Sequence, residues 1–114
     1  MQAVPIQMIA PQALTQTAQM LYQSPANKKT IISKVTFGNT AAQAVTVTAH
    51  IVPAGGAPDD TNKVLPAKLL DINESWSAYS LEGITMRSGD MLYMNTDANG
   101  ENKVAVAASG VEVF

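Results

Sequence analysis

The chain has no cysteine and one histidine, His50, among its 114 residues. Without cysteine there is no disulfide framework, no thiolate nucleophile and no cysteine-ligated zinc site. Charge is scarce too: Asp, Glu, Lys and Arg make up 14% of the residues and leave a net charge of −2. A nucleic-acid binder needs a basic stripe to displace counterions from phosphates, and Lys28-Lys29 is the only adjacent basic pair. There is no glycine-rich phosphate loop. No apolar run approaches the ~18 uninterrupted residues of a membrane helix. The leading residues, MQAVPIQMIAPQAL, lack the basic start and continuous apolar stretch of a secretory signal. The expectation is a soluble chain made in the cytosol, with no cofactor, no metal, no nucleic-acid partner and no membrane partner.

What remains is strand-like. Val45, Val47, Ala49 and Ile51 alternate with Thr46, Thr48 and His50, the period-two pattern of a sheet with one face in a core and one in water. Further strands are expected at Ala18–Gln23, Thr30–Phe37, Val64–Ile72, Trp76–Leu81, Met91–Thr96, Lys103–Ala107 and Val111–Phe114. In the second of these Ile31, Ser33, Val35 and Phe37 share a face. Pro66 demotes part of Val64–Ile72 to an edge position, because proline cannot donate to a ladder. Turn clusters separate the strands. Asn99-Gly100 reads as a hairpin turn, since both residues tolerate positive φ. Seven or eight short strands at this spacing predict an all-β antiparallel sandwich, jelly-roll-like, in one domain of residues 18–114.

Residues 1–17 differ. Pro5 and Pro11 forbid a helix or a central strand here, yet Val4, Ile6, Met8 and Ile9 are apolar. The segment is expected to be an extended arm with no fold of its own, whose apolar residues seek a partner molecule.

Candidate chemistry is thin. His50 has no second histidine or nearby carboxylate in its strand, so a surface or interface role outweighs a metal or catalytic one. Asp59-Asp60 and the group Asp97, Asn99 and Glu101 carry oxygens suited to calcium, but the latter does not follow the EF-hand order. Residues that cap their own turns account for both. Trp76, Tyr79, Tyr22 and Tyr93 are candidates for a sugar-binding platform; Trp76 and Tyr79, three apart on a strand, would face opposite ways. No acid, base and nucleophile assemble, so no enzyme is expected.

A longer pattern runs through Leu21-Tyr22, Pro25-Ala26-Asn27-Lys28-Lys29-Thr30, Ile32-Ser33-Lys34-Val35, Asn39-Thr40 and Val45-Thr46-Val47-Thr48. It continues in Val52-Pro53-Ala54-Gly55-Gly56, Gly83-Ile84, Ser88-Gly89-Asp90-Met91-Leu92 and Ala108-Ser109-Gly110-Val111-Glu112. With these residues the chain resembles small β-rich virion proteins of tailed bacteriophages, over all but the N-terminal segment. The resemblance implies a head decoration or cement protein, or a neck, tail or fibre component, made in the host cytoplasm and carried in the virion. It implies a homo-oligomer, dimer or trimer, contacting the major capsid protein or another virion protein. The arm residues Val4, Ile6, Met8 and Ile9 are the expected partner contact. A carbohydrate-binding module recognising a host glycan is the alternative from another class.

Overall fold

The computed structural model describes residues 2–114. Nine strands follow one another: β1 (Ala3–Ala13), β2 (Gln19–Gln23), β3 (Lys29–Asn39), β4 (Val45–Val52), β5 (Lys63–Leu70), β6 (Ser75–Ser77), β7 (Thr85–Met86), β8 (Met91–Thr96) and β9 (Val104–Val113). Two single 3-10 turns, Tyr79–Leu81 and Ala98–Gly100, are the only helical pieces among the described residues. One sheet has the order β1-β9-β3-β6, with β7 also paired to β3; the other has the order β2-β8-β4-β5. Every pairing is antiparallel. β6 and β7 both lie along β3, so they act as one interrupted strand. Counted so, eight strands wind between two four-stranded sheets in the order of a jelly roll. The predicted fold class is therefore the observed one.

The core lies between the sheets. Phe37, Ile32 and Val35 of β3 meet Val45 and Val47 of β4, Leu92 and Met94 of β8, and Leu70 of β5, all essentially excluded from water. Burying side chains of this size contributes about 1.5–3 kcal/mol each, the main force holding two thin sheets together. Asn39 reinforces the join. Its Nδ2 faces the carbonyls of Gln43, Leu70 and Asp71 at 3.0, 3.3 and 3.0 Å, and its Oδ1 accepts the Ala41 N–H at 2.9 Å. One buried amide thus ties the end of β3 to the end of β5 in the facing sheet.

Four local expectations are corrected. Of Ile31, Ser33, Val35 and Phe37, only Val35 and Phe37 share the inward face of β3. A bulge between Ile32 and Lys34 shifts the alternation by one residue, so Thr30 and Ile32 point inward before it and Val35 and Phe37 after it. The two C-terminal strands are one, β9, running straight through Ser109-Gly110. Asn99-Gly100 makes no hairpin, because β8 and β9 belong to opposite sheets. The chain instead crosses the end of the sandwich in a 3-10 turn that Asp97 caps through Gly100 N–H at 3.1 Å. The strand expected over Trp76–Leu81 stops at Ser77 and gives way to the other 3-10 turn.

The largest correction concerns the N-terminus. Residues 3–13 are not an arm but the edge strand β1, paired along its length with β9. The division at residue 17 is therefore not one the sheets make. Gln2 and Phe114 exchange amide–carbonyl bonds, so by the antiparallel alternation Val4 and Ile6 also bond toward β9 and Pro5 faces outward. There proline forfeits no ladder bond. Register shifts between Gln7 and Ile9 and between Ile9 and Gln12 place Pro11 at an irregularity. Proline was compatible with a strand because the strand is an edge.

Candidate interaction surfaces

The residues singled out for chemistry are mostly committed to holding the fold. His50 is buried rather than at the surface. Its Nδ1 lies 3.0 Å from Asn62 Oδ1 and 3.2 Å from the Asp59 carbonyl. Both partners are acceptors, so this nitrogen carries the proton and the ring pins the 53–62 loop to β4. Asp59 Oδ1 accepts from Thr61 N–H at 2.8 Å and Thr61 Oγ1 at 2.6 Å. Those bonds from Thr61 hold its carboxyl below the ordinary carboxylate range. Asp97 Oδ2 accepts the Thr46 N–H at 3.1 Å, which anchors the loop after β8 to β4. Tyr22 Oη and Ser24 Oγ both meet Thr30 Oγ1, at 2.8 and 3.0 Å. Partial burial raises the Tyr22 phenol above its usual value, against the lowering effect of Thr30 and with help from the Glu112 charge. Among the described residues no three His, Asp or Glu side chains gather as metal ligands.

The aromatic residues share no one face. Trp76, on β6, stacks on Phe37 with ring centroids 6.1 Å apart, and Lys68 Nζ covers it at 5.0 Å from the ring centroid. Tyr79 projects from the 3-10 turn and is 74% exposed. Tyr22 and Tyr93 lie on the paired strands β2 and β8 of the other sheet, but Tyr22 bonds inward to buried Thr30 while Tyr93, between buried Leu92 and Met94, faces outward.

The four residues expected at a partner contact divide. Met8 and Ile9 are buried in this chain's own core. Ile9 is enclosed with Leu14, and Met8 lies against Gly110. Val4 is 41% exposed, and Ile6 is half-buried at the rim of a concavity of about 330 Å³. The floor of that concavity is the small side chains of β9, Ala107 and Ser109, walled by Lys34 and Thr36 of β3. Only Val4 and Ile6 remain available to another molecule.

A second surface feature is legible in the sequence. Residues 1–27 contain no charged side chain; the first is Lys28. β1 and β2, both within this stretch, form one flank, β1 edging one sheet and β2 the other. Val4 and Met20, the latter 46% exposed, are its open apolar residues. The opposite flank, formed by β5, β6 and the turn between them, carries Lys63, Lys68, Asp71 and Glu74 beside exposed Leu69 and Ile72. Edge strands are ordinarily guarded by charge, proline and bulges; the β1–β2 flank uses the last two and omits the first. Depletion of charge also marks the centre of protein–protein interfaces.

Solved structures share this arrangement of strands. A chain of infectious bursal disease virus, Gx strain, superposes with a TM-score of 0.61 at 14% identity, over 98% of this chain and 33% of that one. A chain of the T13 particle of the same virus gives a TM-score of 0.52 at 10% identity, over 99% of this chain and 31% of that one. This chain therefore spans about a third of those viral chains. A subunit of Bacillus endospore appendages, disulfide-linked pili, matches with a TM-score of 0.57 at 11% identity, over 98% of this chain and 88% of that one. At such identities the likeness is one of fold. No family model and no curated protein matches the sequence.

Proposed function

We propose that this chain is a structural protein of a virion, and within that class a head decoration or cement protein of a tailed bacteriophage. The observation that carries the reading is the complete jelly-roll order, in a small chain whose polar side chains serve its own turns. The virus-particle chains of the same fold support it, as does the resemblance of the strand and turn motifs to small phage virion proteins. The role is non-catalytic: the protein works through repeated contacts on a symmetric shell, where many weak contacts sum to firm attachment. It forms a dimer or trimer and sits on the major capsid protein or a neighbouring virion protein, after synthesis in the host cytoplasm. The contact runs along the uncharged β1–β2 flank, through Val4 and Ile6 with Met20. Met8 and Ile9 take no part, because they complete the core.

A second reading, a neck, tail or fibre component, draws on the endospore-appendage subunit, a fold relative of nearly the same size built into a filament. Without cysteine, such a filament here would hold by non-covalent contacts alone. The host-glycan reading loses its motive, since the aromatic residues that suggested it share no one face.

The test is co-sedimentation with undecorated capsids, with immunogold labelling of intact particles. Wild-type protein is expected to bind and to label heads. A Val4→Glu, Met20→Glu double variant is expected to stay folded and lose binding. Label confined to tails would select the second reading, and label on neither would refute both.

A further inference from the structure

Lys29 and Arg87 stand side by side with no acid between them. β7 pairs with the start of β3 through Thr30 with Met86 and Ile31 with Thr85. Thr30 and Met86 are buried, so strand alternation turns Lys29, Thr85 and Arg87 outward. One step beyond the last pair, Lys29 and Arg87 oppose each other, both exposed. Like charges so placed destabilise a sheet, and folding gains nothing from them.

The nearby acids are engaged elsewhere. Glu112 takes Lys28 Nζ at 3.5 Å, and that ammonium also lies 4.5 Å from the Phe114 ring centroid. Asp90 Oδ2 accepts the main-chain N–H of Arg87 at 2.9 Å. The ion pairs among the described residues are Lys28–Glu112 and Lys63–Asp60, neither involving Lys29 or Arg87. Lys29, Thr85, Arg87 and Ser88 line one concavity of about 710 Å³. Ser88 Oγ donates to the Lys28 carbonyl at 2.6 Å, tying the loop after β7 to the start of β3 and setting the width of the cleft.

The geometry points to a binding site for a tetrahedral oxyanion, a phosphate or sulfate group, held between the Arg87 guanidinium and the Lys29 ammonium beside the Thr85 hydroxyl. The guanidinium offers a planar fork of parallel N–H donors and the ammonium three more. They approach from different strands, so they suit an anion whose oxygens point in several directions better than a planar carboxylate. Pairing both cations with one anion also removes the repulsion that the fold leaves in place. The site is independent of the capsid reading, lying where the β2–β3 and β7–β8 loops meet.

The test is a titration of isotope-labelled full-length protein with inorganic phosphate, sulfate and acetate in turn at constant ionic strength. Main-chain amide shifts of Lys29, Thr85 and Arg87 are followed. Saturable shifts with phosphate, sulfate or both are expected, and which one saturates names the source of the oxyanion. Arg87→Gln is expected to weaken binding about tenfold or more, the worth of a charge-assisted hydrogen bond, with a Tm equal to or slightly above that of the wild type, since it removes a like-charge pair. Lys29→Gln gives the same reading from the other strand. Shifts that do not saturate, acetate binding as tightly, or both variants binding like wild type would overturn the site.

Discussion

At the scale of single residues, room in the β1-β9-β3-β6 sheet is set by Gly110. A Cβ built there would stand 2.5 Å from Met8 Sδ and 2.7 Å from the Ile31 carbonyl oxygen. Met8 is pliable and can withdraw, but the carbonyl belongs to the β3 backbone and cannot. Gly110→Ala is therefore expected to cost about 2 kcal/mol or more in urea denaturation, and adding Met8→Ala should not restore it. Gly38 makes the contrast. A Cβ there meets nothing within 4 Å, so Gly38→Ala should be neutral or stabilise by about 0.5 kcal/mol through loss of unfolded-state freedom. Equal destabilisation at the two positions would show that the fit at Gly110 is not what matters.

Among elements, β1 decides how the molecule is divided. Backbone pairing with β9 and the burial of Met8 and Ile9 make it part of the sandwich, while Pro5, Pro11 and two register shifts blunt its free edge. Truncating a buried aliphatic side chain costs about 2–5 kcal/mol, whereas an exposed one costs about 0.5 kcal/mol or less. Ile9→Ala should accordingly lower the unfolding free energy by about 3 kcal/mol, and Val4→Ala should leave it nearly unchanged, both measured by chemical denaturation. Equal small losses would mean that β1 does not dock on this chain's own core. Two neighbours of β9 bulge at the same level, β1 at Met8 and β3 at Ser33. Bulges bend the strands that carry them, and these two flank Ser109 from either side, next to the concavity that Ile6 borders.

For the whole molecule, an elongated body of 46 × 26 × 20 Å presents two unlike flanks. One carries no charged side chain on its edge strands, and the other mixes ion-forming side chains with exposed Leu69 and Ile72. A contact made through the first flank rests on apolar burial and shape, which salt does not screen; one made through charges weakens as the Debye length shrinks from about 10 Å to about 3 Å. If the β1–β2 flank mediates self-association, the mass measured by light scattering should stay oligomeric from low salt to about 1 M salt. A monomer at high salt would assign the contact to the charged flank.

Periodicity alone determined that this is an antiparallel all-β sandwich, because alternation in segments such as Val45–Val52 reports a one-sided sheet wherever the strand lies. Composition alone determined that charge is missing from the first 27 residues. Only the tertiary structure decided what depends on distant partners. The bulge at Ser33 put Thr30 and Ile32, not Ile31 and Ser33, on the inward side of the first half of β3 and left Val35 and Phe37 there in the second half, since bulges arise from pairing and leave no mark in a single strand's pattern. The edge position of β1 made its prolines tolerable, and edge or centre is a property of the sheet. Likewise Lys29 and Arg87, far apart in the chain, became neighbours only when β7 closed against β3.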